Sequence, residues 1–342
     1  MNKHILLFVV FIAIGSVLCS VQFKIDSEIN PILIPDNWPD PVYNFSKKPL
    51  KAKIIEIGRS LFYDPILSLD NSISCSSCHL SFTAFTHVDH ALSHGIGDSI
   101  GTRNSPVLIN LAWNKYFMWD GAINHIEVQA LAPISHPAEM GEDLNRVLEK
   151  LRHSKKYQAK FYAAFKDSSI SSKQLLIALA QFQLTLISSN SKYDKVKRKE
   201  VTFTKQEKSG YKLFKKHCSS CHKEPLFTSG EFENNGLPID PTLNDIGRGK
   251  ITQLAMDDFK FKVPTLRNIE FSFPYMHDGR FKSLSEVLNH YTSGVSHTAN
   301  LSSQLVYGID LTSNERVDIV SFLLTLTDKE FLFNPDYQFP KN

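Results

Sequence analysis

Cysteine is scarce in this chain, with five in 342 residues. Cys19 stands alone near the N-terminus and the other four fall in two tight pairs, so no disulfide framework can be inferred. Net charge is small as well. Lys and Arg number 38 against 35 Asp and Glu, and the formal +3 is too little to argue for a nucleic-acid partner. The densest basic tract, Lys195 to Lys199, is short and reads as a solvated linker face. Apart from Ile5 to Leu18 no long apolar run occurs, and that one is too short for a comfortable membrane span. Strand-type alternation is scarce. The 42% apolar and 21% charged content is ordinary for a soluble chain with real cores, and the length allows two domains.

What is present begins at the N-terminus. Lys3 and the apolar run after it have the basic and apolar regions of an export signal. Residues 1–20 are therefore read as a signal peptide, with cleavage near Cys19 to Val21 and the mature protein in the periplasm. A lipid tether on Cys19 is the weaker reading, because Leu18 is large where a lipidation signal wants a small residue.

Each remaining cysteine pair is followed at once by histidine: Cys75-Ser76-Ser77-Cys78-His79 and Cys218-Ser219-Ser220-Cys221-His222. Two thiols at that spacing add to the two vinyl groups of a haem, and the next residue gives its imidazole to the iron. Zinc sites and redox dithiols also use Cys-x-x-Cys, but neither needs histidine in the next position, let alone twice. Two covalent haem c groups are expected.

The surrounding segments repeat. Gly58-x-x-Leu61-Phe62 precedes the first motif and Gly210-x-x-Leu213-Phe214 the second. Thr204 to Glu207 reads as a helix-capping box. Arg103-Asn104 and Arg267-Asn268 pair off, as do Met118-Trp119-Asp120-Gly121 and Met276-His277-Asp278-Gly279, then Glu127 and Glu286. Leu175, Leu179, Phe182 and Leu186 recur at helical spacing, and so do Val317, Val320 and Leu324, as core faces. The expected fold is all-α: two cytochrome c-like haem domains related by internal duplication, with long loops. Residues 21–190 form the first, 191–200 a linker, and 201–342 the second with a C-terminal tail.

These residues resemble a known family. The segments Gly58 to Pro65, Gly101 to Pro106, Trp119 to Gly121, Phe261 to Asn268 and Pro274 to Gly279 are similar to those of bacterial di-haem cytochrome c peroxidases. They are also similar to those of the related methylamine-utilisation di-haem enzyme, which matures a tryptophan-derived cofactor. The resemblance runs from about Ile54 to Leu326. It implies that the His79 haem is the peroxide site, with Glu139 as general acid/base beside Gln129 and Pro133, and that Trp119 lies between the two haems. It implies a sixth ligand on the second haem at Tyr291, where peroxidases carry methionine; Met276, Met256 and His290 are the alternatives. A phenolate there stabilises oxidised iron. His277 is expected at that haem's edge, as a hydrogen-bonding group or a plain core residue. A calcium ion held by the Asn104 side chain and the Ser272 and Pro274 carbonyls is also implied.

Two departures matter. Ile96 stands where many of these peroxidases carry a removable histidine, so an open first iron is expected; His94, in a loop with His87 and His90, is the best substitute ligand. Lys216 and His217 stand where the cofactor-maturing enzyme uses a surface tryptophan. The reading is a periplasmic peroxidase that reduces hydrogen peroxide to water. A small donor such as a monohaem cytochrome c or cupredoxin would supply electrons through the second haem, and a homodimer is possible by resemblance. The rivals are a di-haem oxidase whose high-valent haem oxidises a protein or small organic substrate, and a non-catalytic electron carrier.

Overall fold

The structure is a computed structural model describing residues 32–340, so the export signal read at 1–20 lies outside the described residues. It is mostly helical. The longer helices are Ala52–Tyr63, Leu144–His153, Lys155–Phe165, Ser172–Leu184, Lys205–His217 and Ser313–Leu324, joined by long loops. Among the described residues the only sheet pairs Phe232–Glu233 with Phe261–Lys262, antiparallel.

The helix starts follow from local chemistry. Thr204 accepts a hydrogen bond from the Glu207 N–H while the Glu207 carboxylate accepts from the Thr204 N–H. The same reciprocal box opens the helices at Ser171, Ser283 and Thr312. Each satisfies backbone donors that a helix N-terminus leaves without partners.

Two helix crossings share one device. Ala52–Tyr63 packs on Ser172–Leu184, and Lys205–His217 on Ser313–Leu324. A Cβ on Gly58 would stand 1.9 Å from the Ala178 carbonyl oxygen, and one on Gly210 would stand 1.8 Å from the Asp318 oxygen. Only glycine permits backbones to meet this closely. Gly58→Ala or Gly210→Ala is expected to cost about 1–3 kcal/mol through forced separation of the helices. Chemical denaturation of the holoprotein checks this, and an unchanged midpoint would refute the close-packing account.

The crossing corrects one expected core face. Leu175, Leu179, Phe182 and Leu186 are buried, but Val317 is 57% and Leu324 41% exposed. Ser313–Leu324 instead buries Ile319, Phe322 and Leu323. The helix is apolar on most sides, so periodicity alone does not choose the face; the contact at Gly210 does.

The residue pairing between halves is also corrected. Asn110, not Asn104, shares the left-handed conformation of Asn268, and each begins a short 3-10 turn. Asn110 N–H donates to the Leu186 oxygen and Asn268 N–H to the Leu326 oxygen. Arg103 pairs with Asp120 and Asp245, whereas Arg267 pairs with Asp194. Similar dipeptides therefore hold different places. Glu127 pairs with Lys48, while Glu286 caps a helix, so those two are not counterparts either. Counting instead from His125 and Ser283, the residues before each helix, places Pro133 opposite Tyr291.

The segment read as a solvated linker is anchored. Ser191 caps the Lys192–Lys197 helix, whose Tyr193 and Asp194 are buried. The Asp194 carboxylate takes two hydrogen bonds from the fully buried Arg267 guanidinium. Only Lys197 to Glu200 face solvent along that stretch. At the far end the chain returns to the first half. Phe331 and Leu332 join the core containing Phe62 and Phe85, and Arg59 donates to the Pro335 and Gln338 carbonyls.

Candidate di-haem site

Cys75–Cys78 forms a single helical turn, which brings the two thiols to one side. His79 follows, and its Nδ1 lies 2.7 Å from the Phe85 carbonyl oxygen. A carbonyl only accepts, so Nδ1 must carry the hydrogen and Nε2 keeps its lone pair. His222 repeats the arrangement with the Phe227 and Pro264 oxygens, each at 3.1 Å. Phe85 and Phe227 both take positive φ, which turns their carbonyls toward the imidazoles. Burial pushes His79 down to about 4 and His222 in the same direction, so both rings stay neutral. Each motif thus presents two thiols and one oriented imidazole nitrogen. Among the described residues no three His, Cys, Asp or Glu side chains converge as metal ligands.

A large apolar cavity adjoins the second motif. Cys218, Cys221, His222 and Tyr291 line it, and so do Trp119, Met118 and Gln129 from the first half. One continuous space therefore touches residues of both halves. Lys262 lines it too, and its ammonium makes no hydrogen bond or ion pair among the described residues. Burial alone pulls its pKa down to about 8. An unpartnered cation in an apolar cavity needs an anion, and a haem carries carboxylates. Thiols, imidazole, apolar walls and a lone ammonium all fit that group. Sequence reasoning missed Lys262 because nothing local distinguishes it from a surface lysine.

Trp119 donates from Nε1 to the Asn104 carbonyl, 2.8 Å, and its own carbonyl accepts from the Lys262 N–H, 2.7 Å. The indole is thus fixed between the first half and the strand that carries Lys262. His277 stacks on Phe261 with centroids 3.6 Å apart, and burial lowers its pKa to about 4. It lines the cavity, as the edge position requires.

Tyr291 lies in a π-helical turn, His290–Gly294, that continues the Leu284–Asn289 helix. Burial pushes its phenol up to about 12 against the opposing effect of the Asn235 side chain, and the neighbouring Cys218 and Cys221 add to the rise. Tyr291 lines the same cavity as Cys218 and Cys221. The rival ligands fare worse. Met256 is 73% exposed and His290 Nε2 is held 3.1 Å from the Asn235 carbonyl. Met276 does line the cavity, and its sulfur accepts from the Asn235 amide at 3.5 Å.

Around the first motif, Glu139 is close enough to raise the pKa of both Cys75 and Cys78. Its own carboxyl is pushed up by burial, with His136 opposing. The side chain keeps 44% of its exposure, so water still reaches it. Pro133 is half-buried and its carbonyl accepts from the Met140 N–H. Gln129 donates weakly to the Met118 sulfur at 3.8 Å. No hydrogen bond joins Gln129 to Glu139 among the described residues. The loop with Ile96 packs on the same segment, since the Ile96 N–H donates to the Glu139 carbonyl at 2.8 Å. His94 turns outward to Asp98, 2.6 Å away, and only its backbone oxygen meets Cys78. The rings of His87, His90 and His94 follow one another at 5.4 and 4.7 Å.

Asn104, Ser272 and Pro274, the residues expected around calcium, all line the cavity. Asn104 Nδ2 donates to the Ala91 carbonyl, which leaves Oδ1 free to face a cation.

A helical fold with two Cys-x-x-Cys-His motifs, each with an oriented imidazole, defines a di-haem c-type protein. A family model described as "Di-haem cytochrome c peroxidase" matches residues 52–202. The chain is 34% identical over 300 residues to the methylamine utilization protein MauG of Methylorubrum extorquens, covering 85% of this chain and 82% of that one. It is 32% identical over 298 residues to the cytochrome c551 peroxidase of Nitrosomonas europaea, covering 85% and 84%. A crystal structure of a MauG-like protein associated with microbial copper homeostasis superposes with a TM-score of 0.84 at 30% identity, covering 91% of this chain and 99% of that one. The chain belongs to the di-haem cytochrome c peroxidase family, which includes both the peroxidases and MauG. Among the described residues no helix is long and apolar enough to cross a membrane.

Proposed function

We propose that this protein is a periplasmic di-haem oxidoreductase that uses hydrogen peroxide as a two-electron oxidant, with haems attached at Cys75, Cys78 and His79 and at Cys218, Cys221 and His222. When bound, the first haem supplies an iron position where peroxide is cleaved. Glu139 takes the proton from the near peroxide oxygen and delivers it to the far one, which leaves as water. Gln129 and Pro133 wall the same side. Tyr291 would supply an oxygen ligand to the second haem, Trp119 would lie on the path between the two, and Lys262 would balance haem carboxylate charge. Asn104, Ser272 and Pro274 would supply oxygens to a calcium ion.

The observation that carries this reading is the asymmetry of the two sites. Beside the first thiol pair stands the water-accessible Glu139 carboxylate; beside the second stands the Tyr291 phenol, with the Glu233 carboxylate on the same cavity wall held by the Ser302 hydroxyl. A hard phenolate oxygen favours the oxidised metal, so the second centre is suited to holding oxidising equivalents for a protein or organic substrate. Reduction of peroxide with electrons from a monohaem cytochrome c or cupredoxin is the second reading, and the cytochrome c551 peroxidase relative favours it.

The test is the spectrum of the oxidised holoprotein, visible and paramagnetic, before and after one equivalent of peroxide. A high-spin component is expected at first, then a changed spectrum that persists until an electron source is added. Two low-spin haems that peroxide leaves unchanged would end the proposal.

A further inference from the structure

The Lys205–His217 helix carries five lysines: Lys205, Lys208, Lys212, Lys215 and Lys216. At 100° per residue they fall within about 100° of arc, a stripe roughly 16 Å long. All five are exposed. The opposite face buries Gly210 and Phe214. No ion pair engages any of the five among the described residues; Lys215 lies over the Tyr211 ring at 4.8 Å. Glu207, the one carboxylate of the helix, is turned aside to Lys192. The carboxylates felt at the stripe's end are Glu315 and Asp310, near His217.

A run of surface lysines is most often only a solvated face. This one has a direction. It ends at His217 and Cys218, and His217 and the exposed Ser220 both line the cavity of the second haem site. Lys223, exposed, follows on the far side of His222. Positive charge is thus gathered where that cavity meets solvent. The whole chain carries only +3; removing these six lysines would leave −3. The rest of the molecule is therefore net acidic, and the basic rim gives it a marked electrical polarity.

We propose that this stripe is the docking face for an acidic protein that gives electrons to the second haem. The inference rests on the second reading above, peroxide reduction by an external donor whose electrons enter at the second haem. Each transfer oxidises the partner by one electron and reduces the second haem centre by one. Two transfers and two solvent protons match the conversion of one hydrogen peroxide to two waters. Opposite charge steers such a partner and orients it with its oxidisable group toward the cavity mouth.

The test uses the full-length holoprotein, oxidised by one equivalent of peroxide, then mixed with reduced plastocyanin as an acidic probe or reduced mitochondrial cytochrome c as a basic one. The rate for plastocyanin is expected to fall by about ten-fold or more from 10 to 300 mM ionic strength, as steering is screened. The rate for cytochrome c should be flat or rise. In the triple variant Lys208→Glu, Lys212→Glu, Lys216→Glu the two probes should exchange behaviour, and the matching Gln triple should fall between. Unchanged visible spectra show that the variants have folded. An identical salt response for wild type and the Glu triple would overturn the proposal. Salt-insensitive probe rates, with wild type but not variant sedimenting on anionic phospholipid vesicles, would overturn it in favour of a membrane. If peroxide leaves the spectrum unchanged before any probe is added, the functional reading fails first and takes this inference with it.

Discussion

Glu139→Gln is expected to slow the reaction with peroxide by about 10²–10⁴-fold, the usual worth of a positioned proton carrier. Glutamine keeps the size and polarity of the side chain and loses only the titrating proton. Both thiol pairs and both imidazoles are untouched, so haem content and the resting spectrum should stay as in the wild type. The pH profile sharpens the test. Accepting the peroxide proton requires the carboxylate form. Burial pushes the Glu139 carboxyl upward, with His136 opposing. As pH falls through that raised value the base is lost, so the wild-type rate should decline at a pH above the ordinary glutamate range. The Gln variant should lack that limb. Stopped-flow rates of peroxide-induced spectral change across pH measure both features. A variant within a few-fold of wild type would remove Glu139 from the reaction.

Tyr291→Phe is the second large effect. It deletes the phenol oxygen near Cys218 and Cys221 while keeping the ring that packs against His290. The spectrum of the second haem should change, and the peroxide-oxidised protein should decay at least about ten-fold faster as its phenolate support is lost. Tyr291→Met goes further. A soft thioether favours reduced iron, and axial ligands command potentials over roughly 0.8 V. The Met variant should therefore show a higher second-haem potential and faster turnover with a donor cytochrome. Spectroelectrochemistry reads the potential. If neither substitution alters the second haem, Tyr291 is not its ligand, and Met276, also on the cavity wall, takes the role.

The capping box at Thr204 was legible because its partners are three residues apart. Leu175, Leu179 and Phe182 were legible because their spacing sets them within about 60° of arc on a helix that is buried almost throughout. Val317 and Leu324 misled because the apolar residues of their helix spread over more than half its circumference, so spacing does not single out the buried side. Arg103-Asn104 and Arg267-Asn268 matched as words, yet their guanidinium groups meet carboxylates from unrelated segments. The 191–200 stretch is rich in charge, which suggested solvent. Its one buried carboxylate, Asp194, is explained only by Arg267, far along the chain.

The sequence by itself determined the cofactor chemistry, because two thiols and an imidazole at fixed contiguous spacing need no distant partner to be recognised. It also determined those helix starts, such as the one at Thr204, whose capping bonds close over three residues. The tertiary structure alone decided that Met256 faces solvent while Tyr291 faces the second thiol pair. It alone put Lys262 on the wall of an apolar cavity with no counter-ion among the described residues, and set Glu139 near Cys75 and Cys78. Burial, desolvation and charge pairing depend on what the fold brings alongside a residue, and that neighbour is usually remote in the chain.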